Sequence, residues 1–171
     1  MTEQGTKIRA YIGLGSNLDG PKSQVMQALE ELDQLPQSRC VARSSLYLSK
    51  PMGPPDQPEY VNAAAALDTS LGAEQLLQCL QALEQRHGRV RGGQRWGARA
   101  LDLDLLAYGQ ARIDTEVLTV PHPGIVARDF VLYPLYEIAP ALELPGYGRI
   151  EQYLRRCADH GLRSIKLEEM A

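Results

Sequence analysis

The chain has 171 residues, which fits a single domain spanning 1–171 with a substantial core. Its net charge of −3 argues against a general nucleic-acid binder, because such proteins are usually basic as a whole. The three cysteines show no Cys-x-x-Cys spacing, so neither disulfides nor zinc are indicated. No signal-peptide core and no run of about 18 apolar residues occur, so a cytoplasmic soluble protein is expected.

The first elements predicted along the chain are a strand and a helix. Residues 8–15 are typical of a strand that ends in glycines, and a helix is expected from Pro21 to about Leu35. The turn between them resembles a phosphate-binding loop at first sight. However, Lys22 comes one position late and Pro21 lacks a backbone N–H, so a Walker A motif is rejected.

The next part of the chain predicts two strands joined by a stiff loop. Residues 40–50 are strand-like, and 51–58 hold four prolines in eight residues. Residues 60–67 form an apolar run interrupted by Asn62; four alanines hint at a helix, but the preceding strand and loop favour an antiparallel strand. A buried Asn must find partners for its amide, so Asn62 is either a satisfied core residue or a reader of ligand.

The second half of the chain predicts a clear helix and several shorter elements. Residues 73–87 place leucines on one stripe, with Gly88 as the stop. Residues 113–120 are expected to be irregular or a short strand, and the flanking prolines hold His122 in an extended, turn-like conformation. The remaining predictions are helices at 128–138, despite Pro134, and 149–160, and a last strand at 164–167.

The predicted order of elements through residue 107 is β-α-β-β-α-β. This is the ferredoxin-like pattern of an α+β protein, which gives an antiparallel sheet with helices on one face. Extra C-terminal helices after residue 125 would cover the other face and make a three-layer α/β/α sandwich. The first strand and the last strand of the pattern are expected side by side in the middle of the sheet.

The most informative stretch joins an arginine-rich segment to an alternating Leu/Asp segment. Five arginines and no acidic residue occur from Arg86 to Arg99. Positions two apart in a strand share a face about 7 Å apart, so Asp102 and Asp104 stand side by side. Such carboxylates suit Mg²⁺, and arginines suit phosphates. Each segment alone is more typical of a solvated surface, but their adjacency favours a metal–polyphosphate site.

Residues 95–106 resemble the signature of the 6-hydroxymethyl-7,8-dihydropterin pyrophosphokinase family of folate biosynthesis. The resemblance covers essentially the whole chain, with further matching pieces in order at residues 15–17, 53–62, 84 with 88–91, 120–122 and 128–130. It implies a ferredoxin-like three-layer sandwich, in agreement with the order of elements. It also implies transfer of the β,γ-pyrophosphoryl group of ATP to the pterin's hydroxymethyl oxygen, with release of AMP.

The resemblance also implies roles for individual residues. Asp102 and Asp104 would hold two Mg²⁺ ions, and Arg89 and Arg99 would neutralise the transferred group. The positions that match the nucleotide side are Gln81, Glu84, Arg91, Arg95, Leu105, His122 and Arg128. The positions that match the pterin pocket are Met52, Tyr60, Asn62, Trp96 and Phe130. Arg91, Arg95 and Trp96 also belong to a mobile loop expected to close over ATP.

Elementary chemistry supports these roles. A flat pterin needs an aromatic face, and its polar edge needs an amide that both donates and accepts, as Asn62 can. No side chain is an obvious general base, so metal polarisation is expected to suffice for the reaction. Three positions depart from some relatives, Gly92, Val117 and Pro123, and each departure affects a nucleotide contact, which could weaken ATP binding.

Three other functions compete with this interpretation. Another Mg²⁺-dependent nucleotidyl or phosphoryl enzyme with the same Asp-x-Asp pair would be distinguished by whether AMP or ADP leaves. A nucleic-acid-binding module would need aromatic residues on the sheet face, where this chain has aspartates. Intact Asp102, Asp104, Arg89 and Arg99 argue against a non-catalytic relative. The expected partners are ATP and the hydroxymethyl pterin, with no nucleic acid or membrane, and a monomer is expected.

Overall fold

The computed structural model describes residues 6–17, 20–50, 59–88, 100–156 and 162–164. The strands are β1 Ile8–Ser16, β2 Ser38–Arg43, β3 Tyr47–Ser49, β4 Tyr60–Thr69, β5 Asp102–Tyr108, β6 Ile113–Asp114, β7 Thr119–Val120, β8 Glu143–Leu144, β9 Gly148–Arg149 and β10 Arg163–Ser164. The helices are α1 Pro21–Leu32, α2 Ala73–Arg86 and α3 Asp129–Ile138, with one 3-10 turn at Ile150–Tyr153. None of these described helices is long and apolar enough to cross a membrane.

The main sheet is antiparallel, with the strand order β10-β3-β4-β1-β5, and β2 pairs with the other half of β4. This order and the two helices between the strands confirm the predicted ferredoxin-like core. The expectation that the Leu/Asp strand lies in the middle of the sheet is wrong. Because β4 occupies one edge of β1, β5 takes the other, and no described strand pairs with the outer edge of β5.

The predicted strand at 40–50 is divided into two strands, β2 and β3. Between them, the side chain of Ser44 hydrogen-bonds to the backbone of β4. The Ser44 hydroxyl accepts a hydrogen bond from the Ala64 N–H at 2.9 Å, while the Ser44 N–H donates to the Ala64 carbonyl at 2.8 Å. Both strands therefore follow β4, one on each side of this interruption.

The alanine-rich run is a strand, as favoured from its neighbours, because both of its faces are buried. Ala63 and Ala65 pack in the core beneath α1 and α2, whereas Ala64 and Ala66 pack in the core with α3. A strand covered on both faces is apolar throughout rather than alternating. The sheet is therefore the middle of three layers, as the sequence predicts.

The helix α1 begins at Pro21, where a missing N–H is harmless, after Gly20 in a left-handed conformation (φ +73°). Its buried face consists of Val25, Ala28, Leu29 and Leu32. The helix ends at Leu32 rather than near Leu35. The Asp33 carboxylate instead accepts the Cys40 N–H at 2.9 Å, which ties this end of α1 to β2.

The end of α2 is fastened to α1 by a histidine. His87 Nε2 lies 2.6 Å from the Glu31 carboxylate, and Nδ1 contacts the Gln24 side-chain oxygen. The chain then turns at Gly88, which has φ +93°, so the glycine stop predicted for this helix is confirmed.

The C-terminal region agrees only in part with the prediction. α3 runs over Asp129–Ile138 with Pro134 inside it, as expected. The predicted helix at 149–160 is wrong over its first residues, because Arg149 ends a short hairpin of β8 and β9 and only a 3-10 turn follows. Residues 157–161 and 165–171 lie outside the described part, so the predicted strand at 164–167 is seen only at its start, in β10.

Candidate active site

A row of side chains crosses four neighbouring strands on one face of the sheet. Tyr47 lies opposite Asn62, Asn62 opposite Gly15, and Gly15 opposite Asp102. Directly opposed residues in antiparallel strands project to the same face. Two strand spacings place the backbones of Asn62 and Asp102 about 10 Å apart. The pattern thus brings the predicted pterin-reading amide and the predicted metal ligand to one surface, with a glycine between them.

The two aspartates of β5 face a strand that offers no competing side chain. Asp102 is opposite Gly15 and Asp104 is opposite Gly13, one step further along β1. Asp102 is half-buried and Asp104 is exposed. Two carboxylates on one face of a strand suit a hard, oxygen-preferring cation such as Mg²⁺.

The donor set of this pair is incomplete for a protein-enclosed metal site. Within the described ranges, no three His, Cys, Asp or Glu side chains group together. Mg²⁺ prefers six oxygen ligands and commonly takes several from water and substrate phosphates. Two carboxylates therefore fit a cation that arrives with a polyphosphate better than one held by the protein alone.

Glu84, which was predicted on the nucleotide side, lies on α2 and is hydrogen-bonded to β5, the strand with alternating Leu and Asp. It is only 5% exposed, and its Oε2 accepts the Leu103 N–H at 2.8 Å. Leu103 is the residue between the two aspartates, so this bond satisfies a donor on the strand's outer edge. Gln81, one turn earlier on α2, is exposed.

Three residues predicted as ligand contacts form a group beyond β7. His122 is held by its backbone N–H, which donates to the Leu106 carbonyl at 2.7 Å. Its Nδ1 accepts the Gly124 N–H at 2.9 Å, which leaves Nε2 as the protonated nitrogen. The Arg128 guanidinium carbon lies 6.0 Å from the centre of the Phe130 ring, a cation–π distance.

The same group is compact around Gly124. A Cβ placed on Gly124 would lie 3.1 Å from the His122 ring and 3.2 Å from the Arg128 guanidinium carbon. Any residue larger than glycine at position 124 would therefore push the His122 and Arg128 side chains apart. The structure thus brings together His122 and Arg128, predicted on the nucleotide side, and Phe130, predicted in the pterin pocket.

Of the remaining residues predicted to contact a ligand, two lie on strands of the main sheet and the others lie outside the described ranges. Tyr60 begins β4 and is half-buried, whereas Leu105 is buried in β5 opposite Ile12. The side chain of Leu105 belongs to the core, so its predicted nucleotide contact would have to use the backbone. The residues outside the described part are Met52, Arg89, Arg91, Arg95, Trp96 and Arg99.

The sequence analysis did not predict a cluster of hydrogen bonds at the Tyr47 end of the row. The Glu137 carboxylate of α3 accepts the Tyr47 hydroxyl at 2.6 Å and the Ser45 hydroxyl and N–H at 3.0 Å. Burial, together with the neighbouring carboxylate, raises the pKa of the Tyr47 phenol, so the ring stays neutral. No local sequence pattern predicts these hydrogen bonds, because the residues that form them lie about 90 positions apart along the chain.

Comparison with known proteins decides the family. A family model described as 7,8-dihydro-6-hydroxymethylpterin-pyrophosphokinase (HPPK) matches residues 11–140. The chain belongs to the HPPK family. It is therefore a pyrophosphokinase of folate biosynthesis, a transferase that acts on a pterin, and the resemblance noted at residues 95–106 is confirmed.

Two bacterial relatives are similar along nearly their whole length. Both are named 2-amino-4-hydroxy-6-hydroxymethyldihydropteridine pyrophosphokinase. The protein of Pseudomonas aeruginosa is 48% identical over 157 residues, covering 92% of this chain and 96% of the relative. The protein of Haemophilus influenzae is 49% identical over 160 residues, covering 94% and 98%.

Solved structures share the HPPK fold at low identity. Wild-type Plasmodium falciparum HPPK-DHPS with pteroate has a TM-score of 0.69 and 12% identity, covering 91% of this chain. The same protein with STZ-DHP has a TM-score of 0.65 and 11% identity. This chain spans 43% and 44% of the length of those two chains. The likeness confirms the ferredoxin-like fold.

Proposed function

We propose that this member of the HPPK family transfers the β,γ-pyrophosphoryl group of ATP to the hydroxymethyl group of 6-hydroxymethyl-7,8-dihydropterin. The products are the pterin diphosphate and AMP. The observation that carries the proposal is the row in which Asn62, Gly15 and Asp102 follow one another across three strands. It sets an amide suited to a pterin edge beside a carboxylate pair suited to a metal-bound polyphosphate.

Asp102 and Asp104 are proposed as the residues that hold two Mg²⁺ ions together with ATP. Their carboxylates share a face, and each lies opposite a glycine of β1. When bound, the cations offset phosphate charge and polarise the attacking oxygen. Without them, the aspartates would repel the nucleotide, so nucleotide binding should require the metal.

The reaction needs little covalent help from the protein. The hydroxymethyl oxygen attacks the β-phosphorus, the bond from this phosphorus to the oxygen bridging the α- and β-phosphates breaks, and AMP leaves with that oxygen. The hydroxyl proton passes to solvent. Such transfers depend mainly on positioning and charge stabilisation. Arg89 and Arg99 are proposed to neutralise the transferred group.

The group around Gly124 is proposed to serve both substrates. Phe130 offers its ring to the flat pterin, and Arg128, already stacked near that ring, and His122 offer donors to the nucleotide. Glu84 and Gln81 on α2 are proposed to face the nucleotide side of β5. A cytoplasmic, monomeric protein is part of the same proposal, and light scattering of the purified chain tests the monomer.

The product of ATP cleavage tests the proposal directly. The purified chain is incubated with ATP, Mg²⁺ and 6-hydroxymethyl-7,8-dihydropterin, and nucleotides are separated by ion-exchange chromatography. AMP should form in proportion to pterin diphosphate and should stop when EDTA removes the metal. Release of ADP would favour a phosphoryl-transfer enzyme with the same aspartate pair and would overturn the proposed reaction.

Calorimetry separates binding from chemistry. A non-hydrolysable ATP analogue should bind with Mg²⁺ and bind much more weakly without it, because the two aspartates otherwise repel the triphosphate. The pterin should bind to the complex with the analogue. Metal-independent binding of the analogue would contradict the role proposed for Asp102 and Asp104.

A further inference from the structure

The amide of Asn62 is held in one orientation by a buried hydroxyl. Asn62 is 4% exposed, and its Nδ2 donates to the Ser49 hydroxyl at 2.8 Å; Ser49 is 1% exposed. The Tyr60 carbonyl, which can only accept, lies 3.5 Å from the same nitrogen. The contact with Ser49, in β3, places the amide nitrogen towards that strand. The amide oxygen must then point the other way, towards β1.

The oxygen of this amide faces Gly15. A Cβ built on Gly15 would lie 3.6 Å from the Asn62 Oδ1. Among the described residues, no side chain or backbone N–H donates to this oxygen. Asn62 thus presents an acceptor on the Gly15 side, while its N–H groups are directed at the Ser49 hydroxyl and, at 3.5 Å, at the Tyr60 carbonyl. A ligand edge that carries an N–H donor complements this acceptor.

Among the described residues, neither conformation nor packing requires a glycine at position 15. Gly15 lies inside β1 and is not among the glycines with positive φ. The contacts that a Cβ would meet, at 3.6 Å to Asn62, 3.8 Å to Tyr60 and 3.9 Å to the Val61 carbonyl, are ordinary van der Waals distances. A glycine in a strand interior costs roughly 0.5–1 kcal/mol relative to alanine, so its presence calls for a reason outside the strand.

We propose that Ser49 and Gly15 determine pterin specificity: Ser49 sets the orientation of the Asn62 amide, and Gly15 leaves room for a ring N–H to reach its oxygen. The inference rests on the proposed function. Ser49 is a positioning residue, since it acts through Asn62. Gly15 acts by its missing side chain, because a methyl group in contact with Oδ1 would occupy the approach of a ring lying against the sheet.

The position of Gly15 in the row supports this arrangement. It lies between Asn62 and Asp102, whose backbones are about 10 Å apart. A bicyclic ring read by Asn62 and carrying its hydroxymethyl group towards Asp102 must pass over Gly15. The same glycine would therefore control both the fit of the ring edge and the approach of the reacting oxygen to the aspartates.

The test uses the whole chain, saturated with Mg²⁺ and a non-hydrolysable ATP analogue, and titrates 6-hydroxymethylpterin by calorimetry. Ser49→Ala should weaken pterin binding by about 5- to 10-fold, the size of one lost hydrogen bond, whereas Ser49→Thr should stay within about 2-fold because it keeps the hydroxyl. Gly15→Ala should weaken binding by at least about 10-fold, yet melt at the same or a higher temperature, because alanine suits a strand better than glycine.

Matched variants away from the row give the baseline. Ser70→Ala removes a hydroxyl that contacts Gln37, and Gly72→Ala adds a methyl group before α2. Both should bind pterin as the unchanged chain does. The Mg²⁺-dependent affinity for the ATP analogue should be equal in all variants. In an Asn62→Ala background, Ser49→Ala should cause no further loss, because the amide it positions is gone.

Each outcome is decisive. Normal pterin binding by Gly15→Ala or Ser49→Ala, or equal losses for Ser49→Ala and Ser49→Thr, would overturn the inference while leaving the proposed function intact. An additional loss from Ser49→Ala in the Asn62→Ala background would also overturn it. If the unchanged chain binds the ATP analogue but neither binds nor converts the pterin, the proposed function itself falls, and the inference with it.

Discussion

Glu84 of α2 accepts the backbone N–H of Leu103 at 2.8 Å, midway between the two aspartates of β5. This bond joins the helix layer to the outer edge of the strand that carries the two aspartates proposed to bind metal. Since β5 is an edge strand with respect to the other described strands, the N–H of Leu103 has no strand partner on that side. The position of the aspartates therefore depends on a side chain from another layer.

Removing this acceptor should destabilise the fold locally. We expect Glu84→Ala to lower the free energy of unfolding by roughly 1–3 kcal/mol, because a buried N–H is left unsatisfied. Glu84→Gln keeps an acceptor oxygen and should lose less. Urea denaturation measures the difference, and Gln81→Ala, at an exposed position of the same helix, should have almost no effect. Equal stability of Glu84→Ala and the unchanged chain would show that this bond does not hold the strand.

Charge at the aspartate pair should be required for turnover. We expect Asp102→Asn and Asp104→Asn to fold normally but to reduce AMP release by at least ~10², the scale of losing one electrostatic stabiliser. The substitution keeps the size of each side chain and removes one charge from the proposed metal site. The assay follows AMP at saturating Mg²⁺, with thermal melting in parallel.

Asp114→Asn, at an exposed carboxylate of β6, is the matched control and should turn over normally. Near-normal turnover by the Asp102 and Asp104 variants would place the metal elsewhere and remove the basis of the proposed mechanism.

Removing the amide of Asn62 should affect one substrate only. We expect Asn62→Ala to weaken pterin binding by roughly 1–3 kcal/mol, because the polar edge of the ring loses its partner. The ATP analogue is proposed to bind near β5 and should retain its affinity. Calorimetry with each ligand separates the two effects, and equal losses for both would mean that Asn62 acts through the structure of β4.

The ion pair between Arg9 and Asp68 should give a small, pH-dependent contribution to stability. The two residues lie opposite each other in β1 and β4, and the hydrogen bond from Arg9 lowers the pKa of Asp68. A lowered folded-state pKa means that the pair stabilises the fold above the unfolded pKa of Asp68. This contribution is lost as the pH falls through the lowered folded-state pKa.

Because both side chains are partly exposed, the pair should contribute no more than ~1 kcal/mol. Asp68→Asn should therefore be slightly less stable at neutral pH and low salt. The difference should shrink in strong acid and at high salt, where the charge is removed or screened. Urea denaturation at two pH values checks this, and a difference that grows in acid would contradict it.

Features that depend on local periodicity and local chemistry could be predicted from the amino-acid sequence. Asp102 and Asp104 share a face because strand side chains alternate, and this holds whatever the neighbouring strand is. Pro21 and Gly88 mark helix ends by properties of their own backbones. The order of elements was sufficient to predict a ferredoxin-like core, and the family signature indicated the reaction.

Features that depend on cross-strand register and strand order could not be predicted in this way. Nothing within residues 60–67 shows that Ala63 and Ala64 face different helix layers, or that β5 lies at the edge of the sheet. The row from Asn62 through Gly15 to Asp102 joins residues 47 and 87 positions apart along the chain. Cross-strand register arises from the packing of whole faces, since a slip of one residue would turn every side chain over. The distance between the two predicted binding sites is therefore set by how the strands pair in the folded sheet.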